Sequence, residues 1–176
     1  MEVFGVDNSP EMLDEAVKKK IPATFIRGHF LNFAVPKKVD AAICLDFSTN
    51  YILRQDEFVE FLNNVYESLN DGGMFIFDFK PIKAFPRKEK HLKAEDFSFD
   101  WVCSIENAPF AVIDIRISLY GGNVFNERHI ERGYTADEVR NIVRSTKFDV
   151  VAVCDNCELK EPNDESEMIH FILRKK

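Results

Sequence analysis

Between residues 39 and 79 the chain runs apolar, then amphipathic, then apolar again, and that order leaves few folds open. Val39-Asp40-Ala41-Ala42-Ile43-Cys44-Leu45 is apolar almost throughout, the pattern of a strand covered on both faces. Phe58, Phe61, Leu62, Val65 and Leu69 then form one helical stripe, which Asn70-Asp71-Gly72-Gly73 ends at glycine. Met74-Phe75-Ile76-Phe77-Asp78-Phe79 follows at once as a buried strand. Strand, helix and strand joined by short turns predict a parallel sheet with right-handed crossovers.

The opening residues repeat the theme. Glu2-Val3-Phe4-Gly5-Val6-Asp7 reads as a short strand ending in a carboxylate. Ser9-Pro10 then starts a helix, the hydroxyl as N-cap and the proline where its missing N–H costs nothing. Ala23-Thr24-Phe25-Ile26-Arg27 is the next strand. After residue 79 the style changes. Residues 80–93, rich in Lys and Arg, read as an exposed basic loop, and a solvated loop rather than a device for steering anions is the expectation. Residues 97–106, 110–120 and 124–134 read as three antiparallel strands, with turn signals at Asn107-Ala108-Pro109 and Gly121-Gly122-Asn123. Thr135-Ala136-Asp137-Glu138 is a capping box, and the helix it opens leads to strands at 148–154 and 168–173. The expected fold is therefore α/β. A Rossmann-like, mostly parallel sheet with helices on both faces comes from residues 1–79 and 135–176, and residues 80–134 form a basic loop and an antiparallel insertion over it.

Length and charge close off other classes. A chain of 176 residues with 45% hydrophobic and 30% charged residues can bury one sizeable core, and its 17 Phe should dominate that core. A net charge of −7 repels phosphate backbones and anionic lipid, so neither nucleic acid nor membrane is an expected partner. No apolar run nears the roughly 20 residues of a membrane span. The four cysteines are read as reduced thiols in a cytoplasmic protein. Cys154 and Cys157 have the spacing of a zinc or redox pair, but no second pair stands nearby, so no metal is expected.

Several segments, in order, resemble a class I S-adenosylmethionine-dependent methyltransferase that begins at its second strand. Gly5-Val6-Asp7-Asn8-Ser9-Pro10-Glu11-Met12-Leu13 resembles the segment whose carboxylate grips the ribose of the cofactor. Phe25-Ile26-Arg27-Gly28-His29-Phe30 resembles the turn on adenine, with His29 where the family usually has aspartate. Residues 39–51 resemble the fourth strand and the loop beneath the sulfonium, and Leu69-Asn70-Asp71-Gly72-Gly73 the turn into the fifth. His129-Ile130-Glu131-Arg132-Gly133-Tyr134-Thr135 resembles the return from an insertion seen in small-molecule members. The resemblance implies S-adenosyl-L-methionine as cofactor, held by Asp7, Asn8, Met12, His29, Phe30, Leu45 and Asp46. It implies a small-molecule methyl acceptor near Asn50 and Tyr51, with Asp46 and Tyr51 as the catalytic pair that orients it or takes its proton. His129, Arg132 and Tyr134, read as facing one way along one strand, either line the acceptor pocket or form a solvated face.

Bland alternatives stand beside these roles. Asp7 could be a turn aspartate, Met12 and Phe30 core residues, and Asp46 and Ser48 loop caps. The family's first strand and glycine-rich loop have no counterpart in these residues, a gap of roughly 30 residues. The chain alone is therefore expected to bind cofactor weakly. The other expectation is a non-catalytic subunit whose open strand edges pair with a partner chain or a second copy.

Overall fold

Ser9 sets the first helix in the manner its sequence predicts. In the computed structural model, which describes residues 1–156 and 158–176, its hydroxyl accepts the Met12 N–H at 3.2 Å at the start of α1 (Pro10–Lys18). That helix joins β1 (Phe4–Asp7) to β2 (Thr24–Arg27), and the two strands pair in parallel from Phe4↔Thr24 to Asp7↔Arg27. They form a two-stranded sheet of their own.

The second sheet carries the core. It comprises β3 (Val39–Cys44), β4 (Leu69–Phe79), β9 (Asp149–Asp155) and β10 (Ile169–Arg174), in the order β3-β4-β10-β9. The β3–β4 pair is parallel, as expected, and β10 runs antiparallel to both of its neighbours. Helix α2 (Gln55–Ser68) buries Phe58, Phe61, Leu62, Val65 and Tyr66. Its Phe58 and Phe61 meet Phe77 and Phe75 of β4 edge-on, at centroid distances of 5.7 and 5.8 Å. Helix α3 (Ala136–Arg144) adds Val139, Ile142 and Val143 to the same core. Both bonds of its capping box form: the Glu138 N–H to the Thr135 hydroxyl at 3.1 Å, and the Thr135 N–H to the Glu138 carboxylate at 2.8 Å. The phenylalanine-rich core is realised in Phe58, Phe61, Phe75, Phe77, Phe79, Phe148 and Phe171, all buried. β3 is covered on one face only, where Ala42 and Cys44 meet the core, while Ile43 on the other is 70% exposed.

Residues 80–134 build a four-stranded antiparallel sheet in the order β5-β6-β7-β8, from β5 (Lys88–Lys93), β6 (Phe97–Asn107), β7 (Phe110–Leu119) and β8 (Val124–Arg132). The last part of the expected basic loop is thus a strand. Every residue of β5 is exposed and four of the six are Lys or Glu, the composition of an edge strand kept from pairing outward. Asn50 pins this sheet to the core where the chain leaves and re-enters it. Its amide donates to the Lys80 and Arg132 carbonyls at 2.9 and 2.7 Å and accepts the Lys80 N–H at 2.8 Å. Beside it, Pro81 bridges Tyr134.

Candidate functional site

Chemistry-bearing groups stand at the C-terminal ends of the parallel strands in each of the two sheets, the edge at which open α/β sheets hold ligands. Asp7 ends β1 with its carboxylate exposed; one oxygen accepts the Ser9 N–H at 2.8 Å, and its own carbonyl accepts the Gly28 N–H at 3.0 Å. That second bond draws the turn after β2 to the same edge, which brings His29 alongside. His29 is exposed, and its Nδ1 accepts the Leu31 N–H at 3.3 Å, so the ring proton resides on Nε2. Phe30 is half-buried, edge-on to Phe61 at 5.2 Å. Asn8 is exposed, and Met12, 59% exposed on α1, is outside the core.

The turn after β3 is built against steric preference. Asp46 and Phe47 both sit at φ 62°, a left-handed conformation that non-glycine residues adopt at a cost of about 1 kcal/mol each. What holds them is Asp78, a carboxylate only 2% exposed at the neighbouring end of β4. It accepts the Asp46 N–H at 3.0 Å and the Phe47 N–H at 2.7 Å, while the Thr49 hydroxyl donates to the Asp78 carbonyl. His170, opposite Asp78 in the β10 register, brings Nε2 to 3.9 Å of the same carboxylate. Burial, reinforced by the Asp78 charge, pushes the neighbouring Cys44 thiol up to about 12, which leaves it protonated and inert. The strained turn presents Asp46 and Leu45 at the surface. Asp46→Gly is accordingly expected to raise unfolding free energy by up to about 1 kcal/mol in urea denaturation, because glycine adopts this φ freely.

A third group lies under the β5–β8 sheet. Tyr51, in the 3-10 turn after β3, is 3.1 Å from His129 Nδ1, and His129 Nε2 is 3.2 Å from Glu127. Burial and the Glu131 charge raise the Tyr51 hydroxyl above its ordinary range. Lys80, beside Glu131, rests its ammonium over the Phe47 ring at 4.3 Å.

The expectation that His129, Arg132 and Tyr134 share a face is corrected here. A strand alternates every residue, so His129 and Arg132, three apart, point to opposite sides. Arg132 donates to the Leu53 carbonyl at 3.1 Å and to Glu138 at 3.2 Å, and stacks its guanidinium 4.8 Å from the Tyr134 ring centre. Tyr134 is fully buried and donates to the Ile52 carbonyl. Asn50 is fully buried and spends its amide on the backbone. These three hold the insertion in place, whereas Tyr51 and His129 do come together. Asp78 and Glu131 were not singled out in the sequence, although a lone carboxylate inside the apolar run 74–79 is itself a signal, because a buried charge must find donors.

Cys154 is buried in β9, and its prospective partner Cys157 lies outside the described residues. Among the described residues no cluster of His, Cys, Asp or Glu could hold a metal ion, and no helix is long and apolar enough to cross a membrane.

Residues 1–73 match the methyltransferase domain family. The chain is 26% identical over 186 aligned residues, covering 99% of it and 75% of the relative, to YqeM of Bacillus subtilis (strain 168), whose name assigns it provisionally to the methyltransferases. It superposes on an S-adenosylmethionine-dependent methyltransferase from Clostridium acetobutylicum ATCC 824 with a TM-score of 0.89 and 22% identity, over 99% of this chain and 75% of that one. The S-adenosylmethionine-bound CalS10 of Micromonospora echinaspora, an amino pentose methyltransferase, gives 0.74 and 16%, over 99% and 74%. At such identities the two solved structures establish a shared fold.

Proposed function

We propose that this chain is a class I S-adenosylmethionine-dependent methyltransferase, a reading its family match and fold support, and that it directs a methyl group to a small-molecule acceptor held between the β3 turn and the β5–β8 sheet. The observation that carries the reading is the exposed Asp7 carboxylate at the end of β1, with the β2 turn tied to the same edge. A carboxylate so placed can accept both hydroxyls of a ribose, which fits the nucleoside half of the cofactor. S-adenosylmethionine, when bound, supplies an electrophilic methyl group on a sulfonium. Asn8 and Met12 flank the ribose corner. His29, with its proton on Nε2, would donate to an adenine ring nitrogen rather than accept from the amino group, and Phe30 offers an apolar edge. Leu45 and Asp46 form the floor on the β3 side. Asp46 and the Tyr51 hydroxyl orient the acceptor and draw off its proton, and alignment in a partly dry site supplies most of the remaining advantage. The amino sugar acted on by CalS10 supports a small, polar acceptor here as well. We assign the protein to the cytoplasm, in keeping with free Cys44, Cys103 and Cys154.

The test is saturation-transfer NMR of the whole chain with S-adenosylhomocysteine, which detects even weak binding. Saturation of the ribose and adenine protons is expected. Asp7→Ala should weaken binding roughly 10- to 100-fold, the cost of about 1.5–3 kcal/mol for charge-assisted hydrogen bonds. Equal affinity in the variant would remove the ribose assignment, and the function with it.

A further inference from the structure

Directly opposed residues share a face of a sheet, so the register of β5–β8 sorts its side chains into two unlike surfaces. One presents Asp100, Asp114, Arg116 and Arg128, with Arg128 3.6 Å from Asp114. That surface suits water. The other carries the row Leu92-Phe99-Ile117-Phe125 and, nearer the core, the row Lys90-Trp101-Ile115-Glu127. An antiparallel sheet that alternates in this way buries its apolar side. The inner end of that side is covered, because Phe85 and Ile82 pack with Cys103, Ala111 and Trp101. Farther out, Phe99, Ile115 and Ile117 belong to neither hydrophobic core among the described residues, and Leu92 and Phe125 are 53% and 51% exposed. A contiguous apolar patch of this kind marks an interaction surface.

The charges that end one row define what fits it. Lys90 stands on the β5 edge and Glu127 on the β8 edge, both exposed, with Trp101 and Ile115 between them. Three strand spacings of about 4.8 Å hold their backbones roughly 14 Å apart, beyond a Debye length, so neither serves the other within one copy. Lys90 instead rests its ammonium 5.5 Å from the Trp101 ring centre. A two-fold axis running along the strands, midway between β6 and β7, lays β5 on β8 and β6 on β7 while each row stays opposite itself. Lys90 then meets the second copy's Glu127, and symmetry repeats the contact. Trp101 lies on Ile115, Phe99 on Ile117 and Leu92 on Phe125. A two-fold across the strands would lay β5 on β5 and β8 on β8, bringing like charges to the same edge.

We propose that the apolar face of the β5–β8 sheet is the interface of a homodimer, packed on the same face of a second copy as an aligned β-sandwich. The interface goes beyond the methyltransferase reading and does not depend on it. The innermost row, where His129 meets Tyr51, stays with its own copy. The outer rows of four strands make a face smaller than the roughly 800 Å² per partner of a standard interface, so the association is reversible and micromolar.

Sedimentation velocity of the whole chain, from about 1 to about 300 μM, tests it. A reversible monomer–dimer equilibrium is expected. Trp101 is the one tryptophan of the chain, so its emission should move to shorter wavelength along the same concentration curve. Lys90→Glu and Glu127→Lys should each raise the dissociation constant about tenfold, because symmetry sets two like-charged pairs in the interface. Combined, the two substitutions restore opposite charges across the interface, and the dissociation constant should return to within about threefold of the wild type. Within one copy the two positions are too far apart to give that rescue. A chain that stays monomeric throughout overturns the proposal and leaves the face to a partner of another sequence. A dimer with unchanged Trp101 emission, or one that the combined exchange fails to restore, is built on a different surface and overturns it equally.

Discussion

Replacing Asp78 with alanine is expected to lower the unfolding midpoint by roughly 6–12 °C, the equivalent of about 3 kcal/mol in a chain of this size. The carboxylate is almost completely buried and accepts two backbone N–H groups, from Asp46 and Phe47. Alanine leaves both donors without an acceptor in a partly dry site, and each such loss costs about 1–3 kcal/mol. The same bonds hold two residues in the left-handed region, so their removal also lets the turn relax and carries Asp46 away from its position. Asp78→Asn should fall between the wild type and alanine. Its amide oxygen can accept one N–H, but its NH₂ confronts the other donor. Thermal denaturation followed by circular dichroism gives the order Asp, Asn, Ala. A loss below about 2 °C in the alanine variant would mean that the turn stands without the carboxylate. Paired with Asp46→Gly, which is expected to stabilise, the result separates the anchor of the turn from the strain that it sustains.

Local chemistry was legible in the chain wherever the partners lie within one turn. Ser9 and Pro10 announce α1, and Thr135 with Glu138 announces α3, because caps are satisfied three residues away. The apolar runs and the Phe58-to-Leu69 stripe likewise specified the β3-α2-β4 unit, since periodicity alone decides which face is buried. Strand β5 reads as a loop in the sequence because an edge strand is stabilised by one neighbour and protected by charge, and that neighbour is not visible in the local residues. The site was legible by position, not by role. Asn50 and Tyr134 stand in the expected segments, yet their hydrogen-bond partners lie 30 and 82 positions away and make them structural. That His129 shares a face of β8 with Glu127 and Glu131 follows from counting in twos, but its contact with Tyr51, 78 positions away, is made by the fold.

The largest single loss is expected at Gly133, where β8 hands the chain back to the core. A methyl group placed there would sit 2.3 Å from the Ile82 Cα and 2.5 Å from its backbone nitrogen. Those atoms belong to the segment leaving the core, which Pro81 bridges to Tyr134, so neither partner can step aside as a flexible side chain would. Gly133 is not in the left-handed region; the constraint is close approach of two backbones rather than conformational freedom. Gly133→Ala should therefore cost more than about 4 kcal/mol, the range reserved for severe core disruption. Ile82→Ala should give no rescue, because the collision is with main-chain atoms. Gly121→Ala, where nothing lies within 4 Å, should change stability by less than about 0.5 kcal/mol and serves as the control. Urea denaturation measures the loss, and hydrogen exchange locates it: protection should fall first across β5–β8 and the Asn50 anchor. Since that joint also seats His129 against Tyr51, the variant should separate the two side chains as well. Retention of wild-type stability by Gly133→Ala would mean that the insertion is not clamped to the core at this crossing, and the alignment of its underside with the strand ends would lose its structural basis.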